Sequence, residues 1–124
     1  MPFSGGVIAR KGADMKTQPV READIVKRIL RYLKSIPGCF CWKEHGGMYG
    51  TAGIPDVIAC INGHFYGFEV KTEIGRPTKL QEATIRKITE AGGTATVVRS
   101  VDEVRAVVEG AMNAALEDTD KEVI

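Results

Sequence analysis

Residues 54–71 read IPDVIACINGHFYGFEVK, two β-prone runs separated by Asn62-Gly63. A two-residue Asn-Gly loop favours a type I′ hairpin, and the register it imposes pairs residues whose numbers sum to 125. Ile61 then faces His64, Cys60 faces Phe65, and Asp56 faces Glu69. Directly opposed residues have Cβ atoms about 4.5–5.5 Å apart, so two carboxylates there repel each other unless a cation neutralises them. Strand side chains alternate between faces, which puts Lys71 on the side of Glu69 and turns Phe68 and Val70 the other way. Two acids and a lysine converge on one patch.

Working outward, the spacing of Val26, Ile29, Leu30, Leu33 and Ile36 predicts an amphipathic helix over residues 20–35, stopped by Pro37-Gly38. Cys39 to Lys43 reads as a short strand, and the glycines at 46, 47, 50 and 53 make the following segment a loop. Beyond the hairpin, Gly75-Arg76-Pro77 ends the second strand. Thr78 with Gln81 forms a capping box, opening a helix to about Ala91 whose apolar side is Leu80, Ile85 and Ile88. Thr94 to Arg99 is a β-branched strand, and Ser100 with Glu103 opens a last helix bearing Val101, Val104, Val107 and Val108. The order is α, β, β, β, α, β, α. It divides the chain into a flexible arm (1–18), one domain (19–116) and an acidic tail (117–124) that frays.

With 124 residues the chain has room for a single core. Its net charge is only +1, so bulk charge does not announce a polyanion ligand. Distribution says more: Arg21, Lys27, Arg28, Arg31, Lys34 and Lys43 crowd the first half, and Glu109, Glu117, Asp118, Asp120 and Glu122 the end. That asymmetry fits a basic working face and equally an ordinary solvated helix surface. Three cysteines, Cys39, Cys41 and Cys60, cannot all pair and have no second ligand cluster beside them, which favours free thiols used as small hydrophobes in a reducing compartment. There is no signal-peptide pattern and no run approaching the roughly 20 apolar residues of a membrane span, so the expected location is cytoplasmic.

Glu22 extends the helical stripe of Val26, Ile29 and Leu33 toward the core side. Two accounts of it stand: a first-turn acid favoured by the helix dipole at roughly 0.3–1 kcal/mol, or a third carboxylate of the Asp56–Glu69 patch. Asp24, four residues before Arg28, is explained by a surface ion pair. Three carboxylates without His or Cys form the all-oxygen environment that Mg²⁺ or Mn²⁺ prefers. Such a cation activates water and neutralises a leaving oxygen, while the Lys71 ammonium stabilises transition-state charge; phosphodiester hydrolysis fits these parts. The Gly-rich loop leads into Asp56, which favours a substrate-contacting loop over a plain connector. It lacks the Gly-Lys-Ser/Thr ending of a P-loop, so no nucleotide cofactor is expected.

Pro55-Asp56 followed by Glu69-Val70-Lys71 resembles the PD-(D/E)xK nuclease signature, and more narrowly the virus-type replication and repair nuclease (VRR-NUC) domain. The resemblance runs from about Arg21 to Asp102, through Thr51 to Asp56, Gly75 to Gln81, and Gly92-Gly93 before Val97 to Ser100. It implies a restriction-endonuclease-like α/β core with a mixed central sheet flanked by helices. It further implies Glu22 as the helix-borne acid, Asp56, Glu69 and the Val70 carbonyl as ligands of Mg²⁺ or Mn²⁺, Lys71 as catalytic, and Gln81 as an active-site glutamine besides its capping role. Lys43, Arg76, Lys79 and Arg99 are candidates for phosphate contacts. Short members resemble homodimeric phage or prophage Holliday-junction resolvases, which implies branched or four-way DNA as substrate. An inactive DNA-binding module on the same fold is the competing reading.

Overall fold

The computed structural model describes residues 20–45 and 51–123, with side chains to Glu117; the arm at 1–18 and the glycines at 46, 47 and 50 lie outside these. Seven elements follow one another in the order read from the sequence: α1 (Glu22–Lys34), β1 (Cys39–Lys43), β2 (Val57–Ile61), β3 (His64–Val70), α2 (Lys79–Glu90), β4 (Thr94–Val98) and α3 (Val101–Val123). The strands form one mixed sheet in the order β1-β2-β3-β4, antiparallel from β1 to β3 and parallel between β3 and β4. This is a PD-(D/E)xK-like α/β core.

The hairpin register is the one that Asn62-Gly63 demands. Asn62 (φ 49°) and Gly63 (φ 86°) both take the positive φ of a type I′ turn, and pairing runs from Ile61 with His64 to Val57 with Phe68. Alternation then sorts the side chains. Val57, Ala59, Ile61, Tyr66, Phe68, Val70 and Val98 face a core closed by Ile25, Val26, Ile29 and Leu33 of α1 and by Val104 and Val108 of α3. On the other face α2 packs against β3 and β4. Gly67 makes that approach possible, since a Cβ there would stand 2.9 Å from Pro55 Cγ and 3.4 Å from Ile88 Cδ1. None of the residues of α2 is fully buried, and the same face leaves Phe40, Trp42 and Phe65 exposed.

Local differences from the sequence reading have identifiable causes. β2 begins at Val57, not Asp56, because the ladder stops at the proline before it. Asp24 pairs with Arg21 at 3.5 Å, one turn back, instead of Arg28. Ser100 Oγ accepts from Glu103 N at 3.2 Å, yet the Glu103 carboxylate reaches one residue further, to Arg99 N at 2.7 Å, so the second capping box is half formed. α3 runs on to Val123, past Leu116 where fraying was expected. The three cysteines are free; burial, then Cys41, pushes the Cys39 thiol up to about 11, which keeps it protonated at neutral pH. Among the described residues no helix is long and apolar enough to cross a membrane.

The register has a direct energetic consequence. Phe68→Ala, at a fully buried core position, is expected to lower unfolding free energy by roughly 3–5 kcal/mol, whereas Phe40→Ala, on the exposed face, should change it by no more than about 0.5 kcal/mol. Urea denaturation of the two variants measures both.

Candidate active site

The site grows out of the point where the hairpin ladder ends. In this register the hydrogen-bonded pairs fall at Ile61 with His64, Ala59 with Tyr66, and Val57 with Phe68, so the next would join Val70 to Pro55. Proline has no N–H to give. The Val70 carbonyl is thereby left without a hairpin donor, and the Val70 N–H turns to the Asp56 side chain, donating to Oδ2 at 2.8 Å. Pro55 thus ends the ladder, and Asp56 is tied to β3 through its side chain.

Glu69 lies one residue before Val70 on β3, the strand between β2 and β4, and is only 2% exposed. Its Oε2 accepts from Gln81 Nε2 at 3.1 Å and lies 3.5 Å from Lys71 Nζ. Oε1 is buried without a partner among the described residues. Burial, and after it the neighbouring Asp56 carboxylate, pushes the Glu69 carboxyl up to about 7, with Lys71 pulling the other way. Asp56, Glu69, Lys71 and Gln81 are therefore brought together.

Gln81 performs both tasks that its position allowed. Its Oε1 accepts from Thr78 N at 2.8 Å, completing the capping box, while its amide nitrogen reaches Glu69. An amide can do so because it carries an acceptor and two donors. α2 is thereby fastened to the site by its first turn.

Other expected residues are placed differently. Glu22 is exposed at the first position of α1 and makes no hydrogen bond or ion pair to the other acids, contrary to its expected place toward the core. The stripe it extends becomes buried only from Ile25 onward. Arg99 is half-buried, and its Nη1 donates to the carbonyls of Thr72 and of Gly75, the latter at 2.7 Å. It holds the loop after Lys71. Lys43, Arg76 and Lys79 are exposed. One acid was missed: Glu44 donates its N–H to Asp56 O at 2.7 Å, continuing the β1–β2 pairing to a residue opposite Asp56. No sequence signal marked it, because Glu44 lies one residue past β1 and no tight turn fixes the β1–β2 register.

The donor set suits a hard divalent cation: two carboxylates, one with a buried unpartnered oxygen, and a main-chain carbonyl freed by Pro55. Among the described residues no three His, Cys, Asp or Glu side chains converge to hold a metal, so the remaining positions would fall to water.

The family described as "Archaeal holliday junction resolvase (hjc)" matches residues 44–121, leaving α1 and β1 outside the match. Among solved structures, one titled "VRR_NUC domain" is similar with a TM-score of 0.59 and 23% identity, over 71% of this chain and 94% of its own. Another, "VRR_NUC domain protein", has a TM-score of 0.59 and 18% identity, over 74% of this chain and 88% of its own. These likenesses establish the shared fold. No curated protein matches the chain.

The raised Glu69 carboxyl links stability to pH. A carboxyl whose folded value lies above its unfolded one contributes stability at low pH that is lost as pH rises through about 7. In the presence of chelator, the thermal midpoint is expected to fall as pH is raised from about 5 to about 8. Glu69→Gln should flatten that fall, as measured by circular dichroism melts across the range.

Proposed function

The chain belongs to the archaeal Holliday junction resolvase family, and from that membership and the buried Glu69 beside half-buried Asp56 and Lys71 we propose a metal-dependent DNA endonuclease acting on branched DNA, four-way junctions foremost. The observation that carries this reading is the unpartnered, buried Oε1 of Glu69. Folding has left one oxygen of a desolvated acid without a donor, next to a second acid, where a cation satisfies both.

Asp56, Glu69 and the Val70 carbonyl would hold Mg²⁺ or Mn²⁺, which when bound supplies a Lewis acid for a phosphate oxygen and for the attacking water. Lys71, its ammonium 3.5 Å from Glu69, stabilises the negative charge that builds on the phosphoryl oxygens and orients the water. Water forms a new P–O bond, one ester P–O bond breaks, and the departing oxygen leaves with a proton. Gln81 fixes the Glu69 carboxylate, and Arg99 fixes the backbone following Lys71. Exposed Lys43, Arg76 and Lys79 are the phosphate-contacting cations.

Symmetric cutting of a four-way junction calls for two sites related by a two-fold axis, and a homodimer supplies them. Phe40 (70% exposed), Trp42 and Phe65, on the sheet face that carries the site, offer apolar surface for that association.

A panel of labelled four-way, flap, fork and linear DNAs, each with Mg²⁺ and Mn²⁺, tests the proposal. Junction cleavage is expected with either metal, and Asp56→Asn, Glu69→Gln and Lys71→Ala should each slow it by roughly 10²- to 10³-fold while junction binding is retained. Wild-type protein that binds junctions and leaves them intact in both metals would instead mark an inactive DNA-binding module.

A further inference from the structure

Glu44 occupies a place in the sheet that its neighbours make specific. Lys43 opposes Val57 at the end of the β1–β2 ladder, and the bond from Glu44 N to Asp56 O carries the pairing one residue further. Trp42 opposes Ile58, two residues beyond Asp56 and on the same face. Glu44 is on that face too, because its Oε1 accepts from Trp42 Nε1 at 3.0 Å. Glu44, Asp56 and Glu69 therefore form one row of carboxylates across three adjacent strands.

Such a row is unfavourable by itself, since like charges directly opposed in a sheet repel. Lys71 lies beside Glu69, at the far end of the row from Glu44. Glu44 Oε2 has no hydrogen-bond partner among the described residues, and Glu69 Oε1, 98% buried with its residue, has none either. The row thus holds two uncommitted carboxylate oxygens around Asp56. The Trp42 indole engages one oxygen of the half-buried Glu44 and leaves the other open beside Asp56, the residue it opposes.

We propose that Glu44 is the third carboxylate of the cation site, a positioning residue that accepts hydrogen bonds from the ion's hydration water through Oε2 while Trp42 holds Oε1. This rests on the cation-binding reading of Asp56 and Glu69. Action through water follows from the geometry, because no three acids among the described residues are close enough to ligate one ion directly.

Outer acids of this kind typically change metal affinity by about 10- to 100-fold when removed. Calorimetric titration of DNA-free protein with MnCl₂ reads this without reference to cleavage. Glu44→Gln keeps an acceptor for the Trp42 indole and loses only the charge; it is expected to weaken Mn²⁺ binding at least about tenfold, with an unfolding midpoint in chelator equal to or above wild type as repulsion in the row is relieved. Glu44→Asp, which keeps the charge, should recover most of the affinity. Unchanged Mn²⁺ affinity in Glu44→Gln, alongside binding abolished in Glu69→Gln, overturns the inference and leaves the proposed cation site standing. Equal loss of affinity in Glu44→Asp and Glu44→Gln, or a lowered midpoint in chelator, would make Glu44 a structural partner of Trp42 and also overturn it. Wild-type protein that takes up no Mn²⁺ removes both.

Discussion

An acid desolvated in the middle of a sheet, with another acid beside it, is the constraint on which the rest of this molecule turns. Glu69 is all but inaccessible to water, and the effective penalty for removing a carboxylate from water is several kcal/mol. Lys71 and Gln81 offset part of that cost, both through the same oxygen, Oε2. Oε1 receives nothing from the described residues. A fold that merely needed stability would be better served by an apolar side chain here, since replacing buried ionic groups by well-packed apolar ones is often neutral or stabilising. Keeping Glu69 makes sense as an arrangement for binding.

The surrounding chain is organised to present that acid. Pro55 denies the hairpin one more rung, which releases the Val70 carbonyl and lets Asp56 take the Val70 N–H with its side chain. Gly67, three residues before the freed carbonyl, admits the Pro55 ring and α2 against β3. α2 then begins with a cap whose glutamine extends to Glu69, so the capping energy and the orientation of the acid come from one side chain. Behind Lys71, the Arg99 guanidinium gathers the carbonyls of Thr72 and Gly75, defining where the chain leaves the site. Secondary-structure termini, not loop residues alone, do the positioning.

The division between what was legible in the sequence and what was not follows the same physics. A two-residue Asn-Gly turn leaves one register open to its strands, so the Asp56–Glu69–Lys71 juxtaposition could be read without a structure. The β1–β2 register has no such determinant: β1 and β2 are joined by a long Gly-rich connection, and its length does not set which residues face each other. Glu44 was invisible for that reason. Glu22 was misplaced for a different one, since helical periodicity specifies an angular position around α1 but not how far its first turn projects beyond the core. Arg99 counted as a surface cation because its two acceptors are backbone carbonyls, which no pattern of side chains reveals.

A cation between Asp56 and Glu69 is what the proposed hydrolysis requires, and anomalous diffraction from crystals of the protein grown with MnCl₂ tests that placement most directly. The expected result is a manganese peak bonded to Glu69 Oε1 and Asp56, with the Val70 carbonyl in its coordination sphere and water completing the octahedron. A crystal saturated with Mn²⁺ that shows no peak there, or shows Glu69 Oε1 still without any partner, would contradict it.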